Sequence, residues 1–190
     1  MTRSDRATED FKAAARRVFA RQGYASTKIT DITDEAGRAA GGMYRYFDSK
    51  AALLKALADD LQDSRRGHIV HVAGDGHTMT TEADVRDHVQ AYLRTYRDHL
   101  PEMVAISEAA ASDPQFADIR AQIRATDVRI WRDHIAETRA HVGKPASDAA
   151  EVALMVVCLL ELYCYNALHL GTAKADVDAL AAFVYNGLTG

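Results

Sequence analysis

Proline and cysteine are scarce in this chain, with three prolines and two cysteines among 190 residues. So few prolines leave long uninterrupted stretches for helix, and the composition excludes collagen-like repeats and low-complexity disorder. The two cysteines, Cys158 and Cys164, stand six apart in one apolar segment. That spacing puts them on opposite faces of a helix, where they cannot bridge each other. They read as reduced core residues of a cytoplasmic protein without a disulfide framework. No export segment is expected, since the early residues Arg3, Asp5, Arg6, Glu9 and Asp10 are charged rather than an apolar run. The most apolar stretch, Ala153 to Leu170, approaches membrane-spanning length, but Glu161, Asn166 and His169 lie within it. A buried or dimer-facing helix is expected there, and no membrane partner.

Strand signals are absent as well: no alternation of apolar and polar residues is bounded by turn residues. The fold class is therefore all-α. There is no glycine-rich phosphate loop between strand and helix, no nucleophile elbow, and no pairing of either cysteine with an exposed base. No catalysis and no cofactor are expected. His68 and His71, followed by Asp75 and His77, have spacing that a metal could use, but Gly74 and Gly76 make the scaffold loose. They are read as clustered surface histidines, with no metal site.

What is present is helical periodicity with punctuation. A first helix is expected over about Arg3 to Gln22, with Phe11, Ala14, Ala15, Val18 and Phe19 inward and Gly23 as its stop. Thr27 is placed as the cap of a short helix holding Ile29 and Ile32, ended by Gly37. A second short helix runs from about Ala39 to Phe47, with Met43 and Phe47 turned to the core. Ser49 caps a longer helix to about Val72. Thr81 with Asp84 forms a capping box for a helix to His99, and Pro101 breaks the path before a short helix at 102–111. Asp113-Pro114 starts a long helix to about Val142. Its apolar residues form two stripes, one of Phe116, Ile119, Ile123 and Ile130, the other of Ala125, Val128, Ile135 and Val142. Ser147 caps the apolar helix to Leu170, and a last helix spans about Ala175 to Leu188. Together these make about nine helices.

Charge divides along the same path. Residues 1–50 carry a net +3 and residues 51–190 a net −7, within a total of −4. A basic head followed by an acidic body indicates which end a polyanion would prefer. The two short helices after Thr27 have helix-turn-helix spacing. The segment Ala36-Gly37-Arg38-Ala39-Ala40-Gly41-Gly42-Met43-Tyr44-Arg45-Tyr46-Phe47-Asp48-Ser49-Lys50 resembles the recognition-helix signature of the TetR family of transcriptional regulators. Gly23 to Ile32 is similar to that family's entry into its second helix.

The resemblance implies a helix-turn-helix DNA-binding domain at 1–49 and a helical ligand-binding and dimerisation domain at 50–190. It also implies a homodimer that places two recognition helices in successive major grooves of double-stranded operator DNA, roughly 34 Å apart for half-sites one turn apart. A small apolar or amphipathic effector then releases the repressor. The alternative, from another class, is a helical small-molecule-binding protein without DNA-binding activity. Thr27, Lys28, Arg38, Gly41, Gly42, Tyr44, Arg45, Tyr46 and Lys50 are the candidate DNA contacts. The glycines allow close backbone approach, Tyr44, Tyr46 and Lys50 suit phosphates, and Arg45, Lys28 and Arg38 suit base edges. The bland reading keeps the tyrosines as half-buried packing and the arginines as a solvated face. Two departures from the family pattern stand out: Ala39 where a capping serine is frequent, and Gly42 where a threonine often touches DNA.

In the body, Tyr96, Met103, Ile106, Trp131, Cys158, Tyr163 and Asn166 are the candidate ligand-binding residues, with Tyr165 nearby, as large rings beside a few polar groups suit a pocket. Most such residues in a helical bundle are simply core. Glu161 in its apolar helix needs a partner, ranked as water or an intrachain cation, then a dimer pair, then a ligand. For the dimer, Val152, Met155, Val156, Leu159, Leu162 and Phe183 exceed what a monomer should leave exposed.

Overall fold

The computed structural model describes residues 3–73, 79–145 and 147–189. Among these there is no strand, and nine α-helices follow in order. They are α1 (Arg3–Gln22), α2 (Ile29–Glu35), α3 (Ala40–Met43), α4 (Lys50–Ala73), α5 (Glu82–Asp98), α6 (Leu100–Ala110), α7 (Pro114–His141), α8 (Ala149–Cys164) and α9 (Val177–Thr189). A π-helical segment, Tyr165–Leu170, continues α8. The chain forms two compact units, one of residues 1–66 and 99–120 and one of 67–98 and 121–190. The helix α6 thus belongs with the head, a grouping that a sequence boundary at 49/50 does not express. The loop expected at Gly74 and Gly76, Asp75 and His77, and the side chains of His68 and His71, lie outside the described residues.

In the first unit α1 packs against α2 and α6, and α2 against α3. Phe11, Ala14, Ala15 and Val18 of α1 are fully buried together with Ile32, Met43, Leu53, Leu54 and Leu57. Spacings of three and four place these on single helix faces, which is why the periodicity was readable. The turn from α2 to α3 is set by Gly37, whose φ of +64° is left-handed. Arg38 N–H donates to Thr33 O at 2.9 Å and Gly37 N–H to Asp34 O at 3.0 Å. These two bonds close the helix end as a Schellman motif, which favours glycine at this position.

Several caps are where the residue types placed them. Ser49 Oγ accepts the Ala52 N–H at 3.0 Å, Asp113 Oδ1 accepts the Gln115 N–H at 2.9 Å, and Asp84 accepts from the Thr81 N–H at 2.8 Å. Two are not. Lys28 is the cap residue of α2, and Thr27 instead donates its hydroxyl to Gly23 O at 2.6 Å. Asp148, not Ser147, precedes α8. The α-helix α3 is also shorter than the span Ala39 to Phe47, with one further turn after Met43. Ala39 brings no capping hydroxyl, and two consecutive glycines raise the entropy cost of helix.

The second unit is built on α5, which packs closely against α8 and α9. Val85, Val89, Leu93 and Tyr96 are its buried face. The long α7 carries one buried stripe, not two: Phe116, Ile119, Ile123, Asp127, Trp131, Ile135 and Thr138. Ala125 and Val142 are exposed, and Val128 and Ile130 half-buried. Of the expected second stripe, Ile135 is buried with the first, Val128 is half-buried, and only Ala125 and Val142 lie on a solvated face, which tolerates such side chains. On α8, Val156 is buried and Val152 and Leu159 half-buried, so the outward apolar group is Leu154, Met155 and Leu162. Leu170 and Phe183 are exposed as well. Cys164 is buried and Cys158 exposed, which corrects the expectation that both are core.

Candidate nucleic-acid interface

The recognition segment rests on α1. Met43 and Phe47 are buried at 0% and 7% exposure, and the Tyr46 ring lies 6.0 Å from the ring of Phe11. These anchors turn Tyr44 and Arg45 outward. Tyr44 is 55% exposed, and Arg45 is exposed and makes no hydrogen bond or ion pair among the described residues. A side-chain Cβ added at Gly41 would meet nothing within 4 Å, and at Gly42 only Phe11 Cζ at 4.0 Å. Both glycines therefore border open space, and their missing side chains leave the backbone approachable. Lys28, the cap residue of α2, is exposed as well. Its backbone N–H is held by Asp31 at 2.8 Å.

The other candidates have their polar groups engaged within the unit. Thr27 is buried. Arg38 Nη2 lies 2.6 Å from Asp10 Oδ2, with its guanidinium 5.7 Å from the Phe11 ring centre. Lys50 Nζ donates to Tyr24 O at 2.6 Å and Thr27 O at 2.7 Å, and sits 4.2 Å from the Tyr24 ring centre. Burial lowers the Lys50 pKa, and the carboxylates of Glu108 and Asp31 offset only part of that. The ammonium thus joins the start of α4 to the turn between α1 and α2.

Two carboxylates of α6 grip the same head, and neither was singled out from the sequence. Glu108 Oε2 accepts the N–H groups of Tyr24 at 2.7 Å and Ala25 at 3.1 Å. Glu102, 2% exposed, receives Arg16 Nε at 2.5 Å. Arg16 also reaches Asp60 at 3.5 Å, and Lys12 binds Asp60 at 2.8 Å. Partners 44 to 86 residues apart leave no local signal, which is why sequence reasoning missed them.

The candidate ligand residues divide between the units. Met103 and Ile106 are buried in the first. In the second, Tyr96 and Trp131 are each 4% exposed. Burial pushes the Tyr96 phenol well above its ordinary pKa, and Cys164, beside it, is pushed up to about 12 for the same reason. Tyr163 points to the connection before α9, donating to Lys174 O at 2.7 Å and accepting the Asp176 N–H at 2.8 Å. Asn166 donates back to Leu162 O at 2.8 Å. Glu161 is held by Arg124, with Nε at 2.9 Å and Nη2 at 2.5 Å, the intrachain pairing ranked with water at the head of its alternatives. Sequence reasoning did not name His88 and His134, whose rings meet edge to face at 4.5 Å, with Trp131 5.9 Å from His88. Buried Asp127 lies one turn from Trp131 on the same face of α7. Among the described residues no group of three or more metal-ligating side chains comes together.

Comparisons with known proteins concern the N-terminal segment and the fold. Residues 13–57 match the family model described as bacterial regulatory proteins, tetR family. The HTH-type transcriptional repressor KstR2 of Rhodococcus jostii (strain RHA1) is 31% identical over 111 residues, which is 54% of this chain and 54% of that protein. The chain's match therefore spans about half the length of that relative. Among solved structures, Salmonella enterica GusR superposes with a TM-score of 0.72 at 22% identity, covering 100% of this chain and 97% of that one. A Saccharomonospora viridis protein described as a transcriptional regulator, solved in complex with choline, gives 0.75 at 17% identity, covering 96% and 95%. The segment around the helix-turn-helix, residues 13–57, is thus similar to the tetR family of bacterial regulatory proteins, and the all-helical fold is the one these solved structures share.

Proposed function

We propose that this protein is a DNA-binding transcriptional repressor that acts as a homodimer, is released from operator DNA by a small amphipathic effector, and has no catalytic activity. The observation that carries the reading is the recognition segment, where Arg45 and Tyr44 project to solvent and Gly41 and Gly42 leave the backbone open. Arginine can bond a guanine in two places in the major groove, so Arg45 is the base reader. Tyr44 and Lys28 contact phosphates. Thr27, Tyr46 and Lys50 act by holding the segment in place.

The dimer reading is supported by α8. The helix and its continuation, Ala149–Leu170, are long and apolar enough to cross a membrane by length and composition, yet only 28% of the window is buried within the protomer. A second copy covering Met155 and Leu162 accounts for that exposure without a membrane, with Phe183 on α9 adding to the face. The effector reading is supported by Trp131, Tyr96, His88 and His134 in the second unit, which combine large rings with hydrogen-bonding groups. The S. viridis protein bound to choline is a precedent for a small ligand on this fold.

Selection of duplexes from a random library, followed by anisotropy titrations of the best duplex at several salt concentrations, tests the reading. A repressor gives a selected sequence and a steep fall of affinity with salt. A helical ligand binder without DNA-binding activity gives neither. Compounds that raise the melting temperature should then weaken binding to the selected duplex, by linkage.

A further inference from the structure

Arg38, Gly42 and Tyr46 all pack around Phe11 of α1. Asp10, the residue before Phe11, therefore stands alongside the recognition segment, and its carboxylate holds Arg38 at 2.6 Å. The two side chains remain 37% and 44% exposed. This differs from the pairing of Glu35 with Arg17 and Arg21, where a carboxylate 24% exposed fastens α1 to α2. The packing around Phe11, which is 0% exposed, already fixes the recognition segment on α1. The pair of Asp10 with Arg38 is not needed for that purpose.

An exposed ion pair of this kind favours the paired form only about 1.5- to 5-fold. A guanidinium presents the same planar fork to a carboxylate and to a phosphate, so a DNA backbone oxygen can take the place of Asp10 at little loss. The displaced carboxylate stays beside the phosphate and repels it. We propose that Asp10 is an intramolecular stand-in for a DNA phosphate, holding Arg38 back from the backbone of any duplex whose sequence the rest of the segment does not fit. The inference rests on the DNA-binding reading and adds a residue outside the helix-turn-helix that sets specificity. Non-specific affinity comes almost wholly from phosphate contacts, so withholding one cation per head lowers it more than it lowers specific affinity.

The test uses the full chain, a random-sequence duplex and the selected duplex, with affinities measured across salt. In Asp10→Asn, binding to the random duplex should tighten about 1.5- to 5-fold per head. Its log affinity against log salt should steepen by about one per protomer. The selected duplex should gain less, so the ratio between the two narrows. In an Arg38→Ala background the same Asp10→Asn change should retain less than half of that gain. An equal gain in both backgrounds would show a general charge effect and overturn the proposal, as would weaker binding of Asp10→Asn to both duplexes. If the unaltered chain binds no duplex at any salt concentration, the DNA-binding reading falls, and the Asp10 proposal falls with it.

Discussion

Glu102 shows how one buried charge is retained. Burial by itself raises a carboxyl pKa, but the His99 ring 3.8 Å away and the bonded Arg16 guanidinium outweigh it and hold Glu102 below its ordinary value of 4.5. A folded-state pKa lower than the unfolded one gives stability that is present above about 4.5 and lost as pH falls through the folded value. Melting temperatures of the unaltered protein should therefore drop between about pH 5 and 3 by more than those of Glu102→Gln. At pH 7 that variant should be less stable by up to about 3 kcal/mol, since it leaves half-buried Arg16 with only Asp60. A variant with unchanged stability at pH 7 and the same acid profile would show that the pair contributes nothing. Residue types alone conveyed part of this scale. Glu161 was legible as needing a partner because it lies in an apolar helix, whereas Lys50 reads in any sequence as a surface cation. Its partners are backbone carbonyls, which every residue has, so nothing in the sequence marks them.

At the scale of elements, helix starts and stops were readable because caps and left-handed glycines act within four residues of where they stand. Length was less readable in α3, where capping and propensity both fail, and in α7 apolar counting separated two stripes, whereas Ile135 of the second is buried with the first and Ala125 and Val142 face solvent. The same local rules give opposite expectations for two glycines. Gly23 has φ of +77°, and an added Cβ would lie 3.0 Å from Glu108 Oε1, the carboxylate that holds the following turn. Gly23→Ala should lose at least about 1 kcal/mol in chemical denaturation. Gly42 lies within α3 beside open space. Gly42→Ala should gain up to about 1 kcal/mol from helix propensity, while its new methyl weakens binding to the selected duplex. Equal signs for the two stability changes would contradict the assigned backbone roles.

For the molecule as a whole, the sequence named an apolar helix as a dimer face without choosing its outward side: of the residues it named there, Met155 and Leu162 are exposed and Val156 is buried. Met155 and Leu162 are 65% and 64% exposed and stand seven apart on α8. A double Met155→Glu, Leu162→Glu variant should sediment as a monomer at micromolar concentration while keeping its helicity, because burying two unpaired carboxylates against a second copy is costly. It should also lose tight binding to a two-half-site duplex. A dimer that persists in this variant would place the contact elsewhere.

The position of Trp131 has an optical consequence. It is the chain's one tryptophan, it is 4% exposed, and it belongs to the second unit. Its emission should be blue-shifted in the folded protein and should report the melting of that unit alone, while far-ultraviolet circular dichroism reports helices of both. If the two units unfold as one cooperative body, the two signals trace a single curve. If they do not, the gap between the curves measures how independently the head and the rest of the chain come apart, without a label or a substitution.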